Sequence, residues 1–307
     1  MKFRTIKLLL RKKLMNTKIM ICAGVIVMMV WGTSFICSKS LINNGFTPFG
    51  LFLLRTYIAY LLMRIFSKDS LFANNIKDEF LMFLLGLSGG SIYYLLENTS
   101  LEYTSAENVS FIVNLIPLFT AILSYFIYKN VKFKPLFFVG VVLSVVGVLM
   151  LVYNGKFVLH VSPLGDMIAL FACLSWSIYS VLLNKYCKGY SIMFVTRKVF
   201  FYGLISLIPF VPFVENGYDV VAWAYPMNII NLLFLAVVSS FLCFLVWNFL
   251  IKHCGGVKIS NLLYLSPVFT VVASFLFFEQ VPTVLAIVGG AMILGGVYLC
   301  SNNTTDL

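Results

Sequence analysis

The sequence predicts an all-α polytopic membrane protein, with ten transmembrane helices arranged as an inverted repeat of two five-helix halves. Three observations carry that reading. First, the 307-residue chain is 61% hydrophobic and 11% charged, where a water-soluble domain would carry about 25% charge. Its mean hydropathy is +0.98. Second, the apolar residues fall into runs close to the ~20 residues that cross ~30 Å of hydrocarbon. Third, residues 109–128 (VSFIVNLIPLFTAILSYFIY) return at 259–278 as ISNLLYLSPVFTVVASFLFF. At an offset of 150, Ser110 falls on Ser260, Leu115 on Leu265, Pro117 on Pro267 and Phe119 on Phe269. A helical unit duplicated within one membrane chain points to a transporter.

Charged and Pro/Gly/Asn-rich breaks set the spans in order. Residues 1–18 form a basic arm, possessing too short an apolar stretch at Leu8–Leu10 for a signal peptide; we expect it to lie on anionic lipid at the cytoplasmic face. Span one, 19–38, contains Trp31; span two, 48–66, opens on Pro48 and encloses Arg55. Span three, 79–97, holds Gly86–Gly90 and ends on Glu97. Span four, 108–127, follows Glu107 and carries Pro117 in its interior. Span five, 134–153, presents Gly140 and Gly147.

The second half retraces these steps. Span six, 164–184, carries Trp176 at the stage where span one has Trp31, and span seven, 194–213, carries Arg197 where span two has Arg55. Span eight is 228–250, with Asn248 opposite Asn98. Span nine, 259–278, contains Pro267 and closes on Glu279. Span ten, 282–300, repeats the glycine ladder as Gly289 and Gly296. The two repeats are therefore 19–153 and 164–300, with a short tail at 301–307.

Charge sets the orientation. Seventeen of the 22 Lys and Arg lie in the arm and in alternate loops, and the intervening loops hold only Lys39 and Lys156. The positive-inside bias puts both termini in the cytoplasm, in a multi-pass protein of the inner (plasma) membrane. Five spans per half is odd, so the second half must be inverted. The loop KNVKFKP after span four and its counterpart EQVPT after span nine differ in charge accordingly. Basic residues divided among short loops do not form a nucleic-acid surface. The seven cysteines show no metal spacing and no disulfide framework.

Soluble chemistry is missing from the motifs. There is no GxxxxGK[ST], GxGxxG or HExxH. The string at Gly86–Gly90 matches G-x-S-x-G but lies inside an apolar span without the strand–turn–helix context of a nucleophile. The chain is thus read as a non-enzyme with no cofactor, no catalytic residue and no metal site.

The candidate substrate residues follow from cost and repetition. Pro117 and Pro267 each free a carbonyl one turn back, at Val113 and Leu263. Asn114 and Tyr264 sit on the same turns. A kink tolerated in a packed bundle is the structural reading; helices lining a midplane cavity is the functional one, favoured because the pattern occurs twice in register. Trp31 and Trp176 are weaker candidates for the same cavity, since tryptophan also packs. Arg55 lies seven residues past Pro48, roughly 10 Å inside the outer edge, where a charge needs a partner or a function. Glu97 and Glu107 flank the same rim as charge partners. Arg197 and Lys198 are expected to reach solvent at the cytoplasmic ends of their helix, and the glycine ladder is read as close helix packing.

These residues resemble the drug/metabolite transporter superfamily, and within it the EamA-type proteins built from two tandem five-helix domains. The resemblance rests on Trp31–Gly32, Arg55, the S-P-V-F of Ser266–Phe269, Glu279 before V-P-T, and the run from Gly289 to Val297, and covers about residues 19–300. It implies an inverted repeat with cytoplasmic termini, a central cavity lined from both halves, and export of amino acids or other small metabolites. Lys129 stands where the second half has Glu279, a departure that follows from the two loops facing opposite compartments. The favoured reading is a secondary transporter exporting a small polar metabolite by alternating access, drawing on a proton or ion gradient, as a monomer or homodimer. Against it stand an uptake carrier and a non-transport membrane sensor or interaction protein.

Overall fold

The computed structural model describes residues 2–104, 106–128, 132–153, 162–186, 189–209, 223, 225–269, 272 and 283–305. Eleven helices are numbered along them. The first half has α1 (Lys2–Asn43), α2 (Pro48–Phe66), α3 (Ile76–Tyr103), α4 (Ala106–Val113), α5 (Ile116–Ile127) and α6 (Pro135–Tyr153). The second has α7 (Pro163–Tyr186), α8 (Ile192–Ile205), α9 (Pro226–Cys254), α10 (Gly256–Ser260, running on into a 3₁₀ turn at Asn261–Leu265) and α11 (Val284–Asn302). Two two-residue strands, β1 (Lys132–Phe133) and β2 (Thr304–Thr305), pair antiparallel. Large apolar side chains such as Ile65, Phe126 and Val284 face outward. A hydrocarbon solvent accepts that surface, whereas water would not.

Helix limits follow local chemistry. Thr47 caps α2 by accepting from Gly50 N at 3.1 Å, just past a turn in which Gly45 takes φ 96°, and Pro48 occupies the first turn, where its missing N–H costs nothing. Asn75 caps α3, whose first turn carries Asp78 and Glu79, and Ser191 caps α8. α9 stops at Gly255, φ 90°.

Two departures from the expected continuous spans matter. Span four is broken: α4 ends at Val113 and α5 starts at Ile116 with Pro117 in its first turn. The proline begins a new helix because it cannot donate to Val113. Leu115 N bonds Ile112 O at 2.9 Å, and Cys173 Sγ of α7 also reaches Ile112 O at 3.1 Å. Span nine tightens into its 3₁₀ turn at the matching place, just before Pro267; the expected end of that span, from Thr270 through Glu279, lies outside the described residues except for Val272. The second departure is a π-helical turn in each half, Leu87–Ile92 in α3 and Phe234–Cys243 in α9. At the 150-residue offset these overlap.

The glycine ladder shows the inversion directly. α6 and α11 run antiparallel, with Gly140 against Gly296 and Gly147 against Gly289. By sequence Gly140 is equivalent to Gly289 and Gly147 to Gly296, so each glycine packs on its partner's equivalent. That is the contact pattern of a two-fold axis. A Cβ at Gly147 would lie 2.6 Å from Gly289 O, so only glycine permits the approach.

Loops sort onto two faces. On one, Lys39 of α1 donates to Leu101 O and Thr104 O at the end of α3, and Asn44 donates to Asn228 at 2.8 Å. On the other lie the loop after α2, the starts of α3 and α8, and the end of α9, where Lys252 donates to Tyr190 O at 2.6 Å. The end of α7 joins this second face, because Tyr128, closing α5, donates to Val181 O at 2.7 Å. The β1–β2 pair puts the tail at Thr304–Thr305 beside the loop before α6, hence on the second face too.

Candidate functional site

The first turns of the site come from helical periodicity. Residues three or four apart share a face, so Trp31, Ser34 and Phe35 of α1 point together, as do Tyr93, Tyr94 and Glu97 of α3. The two faces meet Arg55 of α2, Trp176 of α7 and Ser239 of α9 around one cavity of about 30 Å³. That is room for two or three waters, at ~10–15 Å³ each on this measure.

Its charges are Arg55 and Glu97, both buried. The Arg55 guanidinium lies over the Tyr94 ring, Cζ to centroid 4.5 Å, and donates from Nε to Ser240 Oγ at 3.0 Å, with Ser239 Oγ at 3.5 Å. Glu97 faces the same cavity together with Tyr93 and Tyr94. Among the described residues no ion pair within 4.0 Å joins Arg55 to Glu97; the one that is formed is Lys198–Glu79. Arg55 is thus held by neutral hydroxyls and an aromatic face.

The π turns serve the same place. A π turn releases carbonyls from the regular ladder, and each half uses one: Trp31 Nε1 donates to Ser239 O at 3.2 Å, and Ser175 Oγ donates to Ser88 O at 2.7 Å. The walls are aromatic. Trp176 lies 5.6 Å from Trp31 and 4.5 Å from Tyr93 between centroids, and Trp247 backs Trp31 at 5.0 Å. The string Gly86–Gly90 makes the same region dense. A Cβ on Gly89 would meet the Tyr179 ring at 2.3 Å, and the Ser88 hydroxyl is bonded to Leu84 O at 2.8 Å.

The candidates from sequence divide into two groups. Trp31, Arg55, Glu97 and Trp176 line the cavity. Asn114, Pro117, Tyr264 and Pro267 are buried beside it but do not line it. The lining residues from those helices are Val113 and Ile116, Leu263 and Ser266, two pairs in register at the offset of 150. Val113 and Leu263 are the residues whose carbonyls the prolines leave free. The break therefore turns toward the cavity, while Asn114 and Tyr264, one residue on, rotate to the next face; Asn114 Nδ2 bonds back to Ser110 O. The side chain of Glu107 lies outside the described residues. Sequence reasoning missed Tyr93, Tyr94, Ser239 and Ser240. Their signal was present in the i, i+4 spacing of Tyr93 and Glu97, and in the alignment of Ser239–Ser240 with Gly89–Gly90.

The second face carries a separate polar cluster. Arg197 and Lys198, expected to reach solvent, are buried. Arg197 donates to Ser67 Oγ (2.9 Å), Asp69 O (3.2 Å) and Ser70 O, and Lys198 and Tyr202 both bond Glu79. The loop after α2 folds over the start of α8 and satisfies these cations internally. Lys39 and Asn44 tie helix ends together on the first face, as this cluster does on the second.

A helical bundle with an inverted repeat, broken helices at its middle and a cavity lined by charged groups defines a multi-pass membrane transporter. Comparison with known proteins narrows the class. The EamA-like transporter family profile matches residues 18–153 and 163–302, and the chain belongs to that family. An uncharacterized transporter of Archaeoglobus fulgidus is 28% identical over 89% of this chain and 94% of its own length. The uncharacterized transporter YdfC of Bacillus subtilis is 28% identical over 83% and 82%. A probable terminal-alkyne amino-acid exporter of Streptantibioticus cattleyicolor is 22% identical over 74% and 75%. One solved crystal structure shares the fold, with TM-score 0.72 at 17% identity over 94% of this chain and 99% of that one.

Proposed function

We propose that the protein is a secondary transporter that exports a small zwitterionic metabolite, an amino acid or a similar compound, across the plasma membrane by alternating access. One observation carries the reading: Arg55 and Glu97 face the same cavity with no ion pair within 4.0 Å between them. A guanidinium suits a carboxylate bidentately, and a carboxylate suits an ammonium. A zwitterion answers both charges at once, whereas an anion or a cation alone would leave one of them buried and unanswered. The name of the Streptantibioticus relative, a probable amino-acid exporter, supports both the solute class and the direction.

The cavity at about 30 Å³ is too small for any amino acid, so loading requires the halves to part. The cluster of Glu79, Lys198 and Arg197 closes one face and the Lys39 and Asn44 contacts close the other; alternating access opens one set at a time. No nucleotide motif is present in the sequence, so uphill export draws on a proton or ion gradient and involves no covalent step on the solute.

Inverted membrane vesicles carrying the protein test this with labelled amino acids. We expect accumulation above that of vesicles without the chain, and a rise in initial rate when an ion gradient is imposed. Accumulation only in right-side-out vesicles would reverse the direction to uptake. Accumulation in neither orientation would remove amino acids as the solute.

A further inference from the structure

We propose that the solute's route between the central cavity and the second face follows the seam of α5, α7 and α10, lined by Thr120, Ser180, Ser260, Asn261 and Tyr264, and is closed and dry in this conformation. The inference rests on the alternating-access reading above and adds the path that a polar solute takes. All five side chains are buried. The hydroxyls of Thr120, Ser180, Ser260 and Tyr264 and both polar atoms of the Asn261 amide have no hydrogen-bond partner among the described residues. A buried polar group left that way is costly, and folded proteins keep few of them. The cost is accepted where the same groups face water in a second conformation.

Each helix of the seam runs between the cavity and the second face. Ile116 of α5, Trp176 of α7 and Leu263 and Ser266 after α10 line the cavity. At the other end, Tyr128 closes α5 on Val181 O of α7, and α10 starts at Gly256, directly after the end of α9. Thr120 lies one turn past Ile116, Ser180 one turn past Trp176 and Ser260 one turn past Gly256; Asn261 and Tyr264 continue toward the cavity. The three helices touch at those turns. Ser177 Oγ donates to Ile116 O at 3.2 Å, a Cβ on Gly256 would lie 3.3 Å from Ser180 O, and α5 packs on α10. The inverted repeat supplies a counterpart. Ser110 and Asn114, the equivalents of Ser260 and Tyr264 at the offset of 150, each bury an oxygen without a partner, on α4 between the first face and the cavity. Packing gives no reason for partnerless polar atoms at matching positions of two halves that face opposite sides. Hydroxyls and an amide suit a solute that is neutral overall, because they replace its hydration without holding it.

The test is the rate at which Thr120→Cys, Ser180→Cys and Ser260→Cys react in membrane vesicles with an impermeant methanethiosulfonate bearing a trimethylammonium group, in a background where the native cysteines are replaced. Gly189→Cys marks the second face. Ser144→Cys is the buried control, since the Ser144 hydroxyl also lacks a partner but lies against Gly296 in the seam of α6 and α11. We expect each route position to react about ten-fold faster than Ser144→Cys, because a minor open state is sampled more often than a packed seam comes apart, and only from the side that modifies Gly189→Cys. Rates no higher than that of Ser144→Cys, or reaction from the opposite side, would overturn the route. Solute transport by the same vesicles keeps the two readings apart: transport without modification removes the route and keeps the carrier, whereas modification without amino-acid transport keeps the route and removes the solute. Thr120→Val serves as a second variant. Its melting temperature should be unchanged or higher, as an apolar isostere replaces a hydroxyl without a partner, and Ser260→Cys should react more slowly beside it. A lower melting temperature would mean that Thr120 is answered within this conformation and has no place on the route.

Discussion

Arg55 tests the site more sharply than any other residue. It is buried, stacks on Tyr94, and is held by Ser240 at 3.0 Å. We expect Arg55→Leu to lower the initial transport rate per molecule by about ten-fold or more, the scale of removing one side of a buried charge contact. Abundance should fall less, because the groups left behind are hydroxyls that can bond one another, at about 1–3 kcal/mol if they do not. Arg55→Lys should keep part of the rate, since the charge remains and the planar fork is lost. Glu97→Gln should also lower the rate per molecule. Initial rate against quantified membrane protein separates these outcomes from a structural role. A wild-type rate per molecule in Arg55→Leu would remove Arg55 from the site. Much of this was legible in the sequence because a charge or tryptophan inside an apolar run is costly or rare. Tyr93, Tyr94, Ser239 and Ser240 were not legible in the same way. Hydroxylated residues are ordinary in apolar helices, and only the π turn of α9 aims Ser239 and Ser240 at Arg55.

At the scale of elements, proline and glycine explain both what was read and what was missed. The in-register prolines lie on the two helices that lend Val113 and Ile116, Leu263 and Ser266 to the cavity lining. Whether each would kink a continuous helix or begin a new one depended on partners from elsewhere. Leu115 N and Cys173 of α7 both take up the carbonyl of Ile112, so a full break at Asn114–Leu115 is tolerated. The rotation of the lining from Asn114 to Val113 and Ile116 followed from that break. The glycines were simpler, because spacing alone implied a close crossing. We expect Gly296→Ala to lower the melting temperature clearly: its Cβ would stand 2.1 Å from Ser144 Oγ and 2.6 Å from Gly140 O, and backbone cannot step aside. Overpacking of that kind costs ~1–3 kcal/mol. Gly290→Ala is the matched control, since nothing lies within 4 Å of its Cβ. It should leave the melting temperature unchanged or slightly higher, as alanine favours the helix. Equal effects of the two substitutions would mean that α6 and α11 do not pack through this ladder.

The whole molecule is organised by inversion, and its orientation remains the statement with the widest reach. Two separate arguments converge on one topology. Charge counting puts the basic loops together, and the hydrogen bonds place the same loops on one face: Lys252 with Tyr190 beside the start of α8, and Lys132 on β1 paired with β2 at the tail. The opposite face, with Asn44 bonded to Asn228, has Lys39 as its nearby cation. On the positive-inside rule we expect the β2 face to be the cytoplasmic one. We expect Asn302→Cys, exposed at the end of α11, to react with an impermeant maleimide only after cells are permeabilised, in a background where the native cysteines are replaced. Gly189→Cys, beside Tyr190, should behave identically. Tyr225→Cys, 57% exposed at the start of α9, should react in intact cells. The three sites are chosen so that no partial result is ambiguous. If all three invert together, the bundle is correct and the charge rule has failed for it. If Asn302 and Gly189 separate, the second half does not cross the membrane five times, and the two-fold relation seen in the glycine ladder could not persist in the membrane.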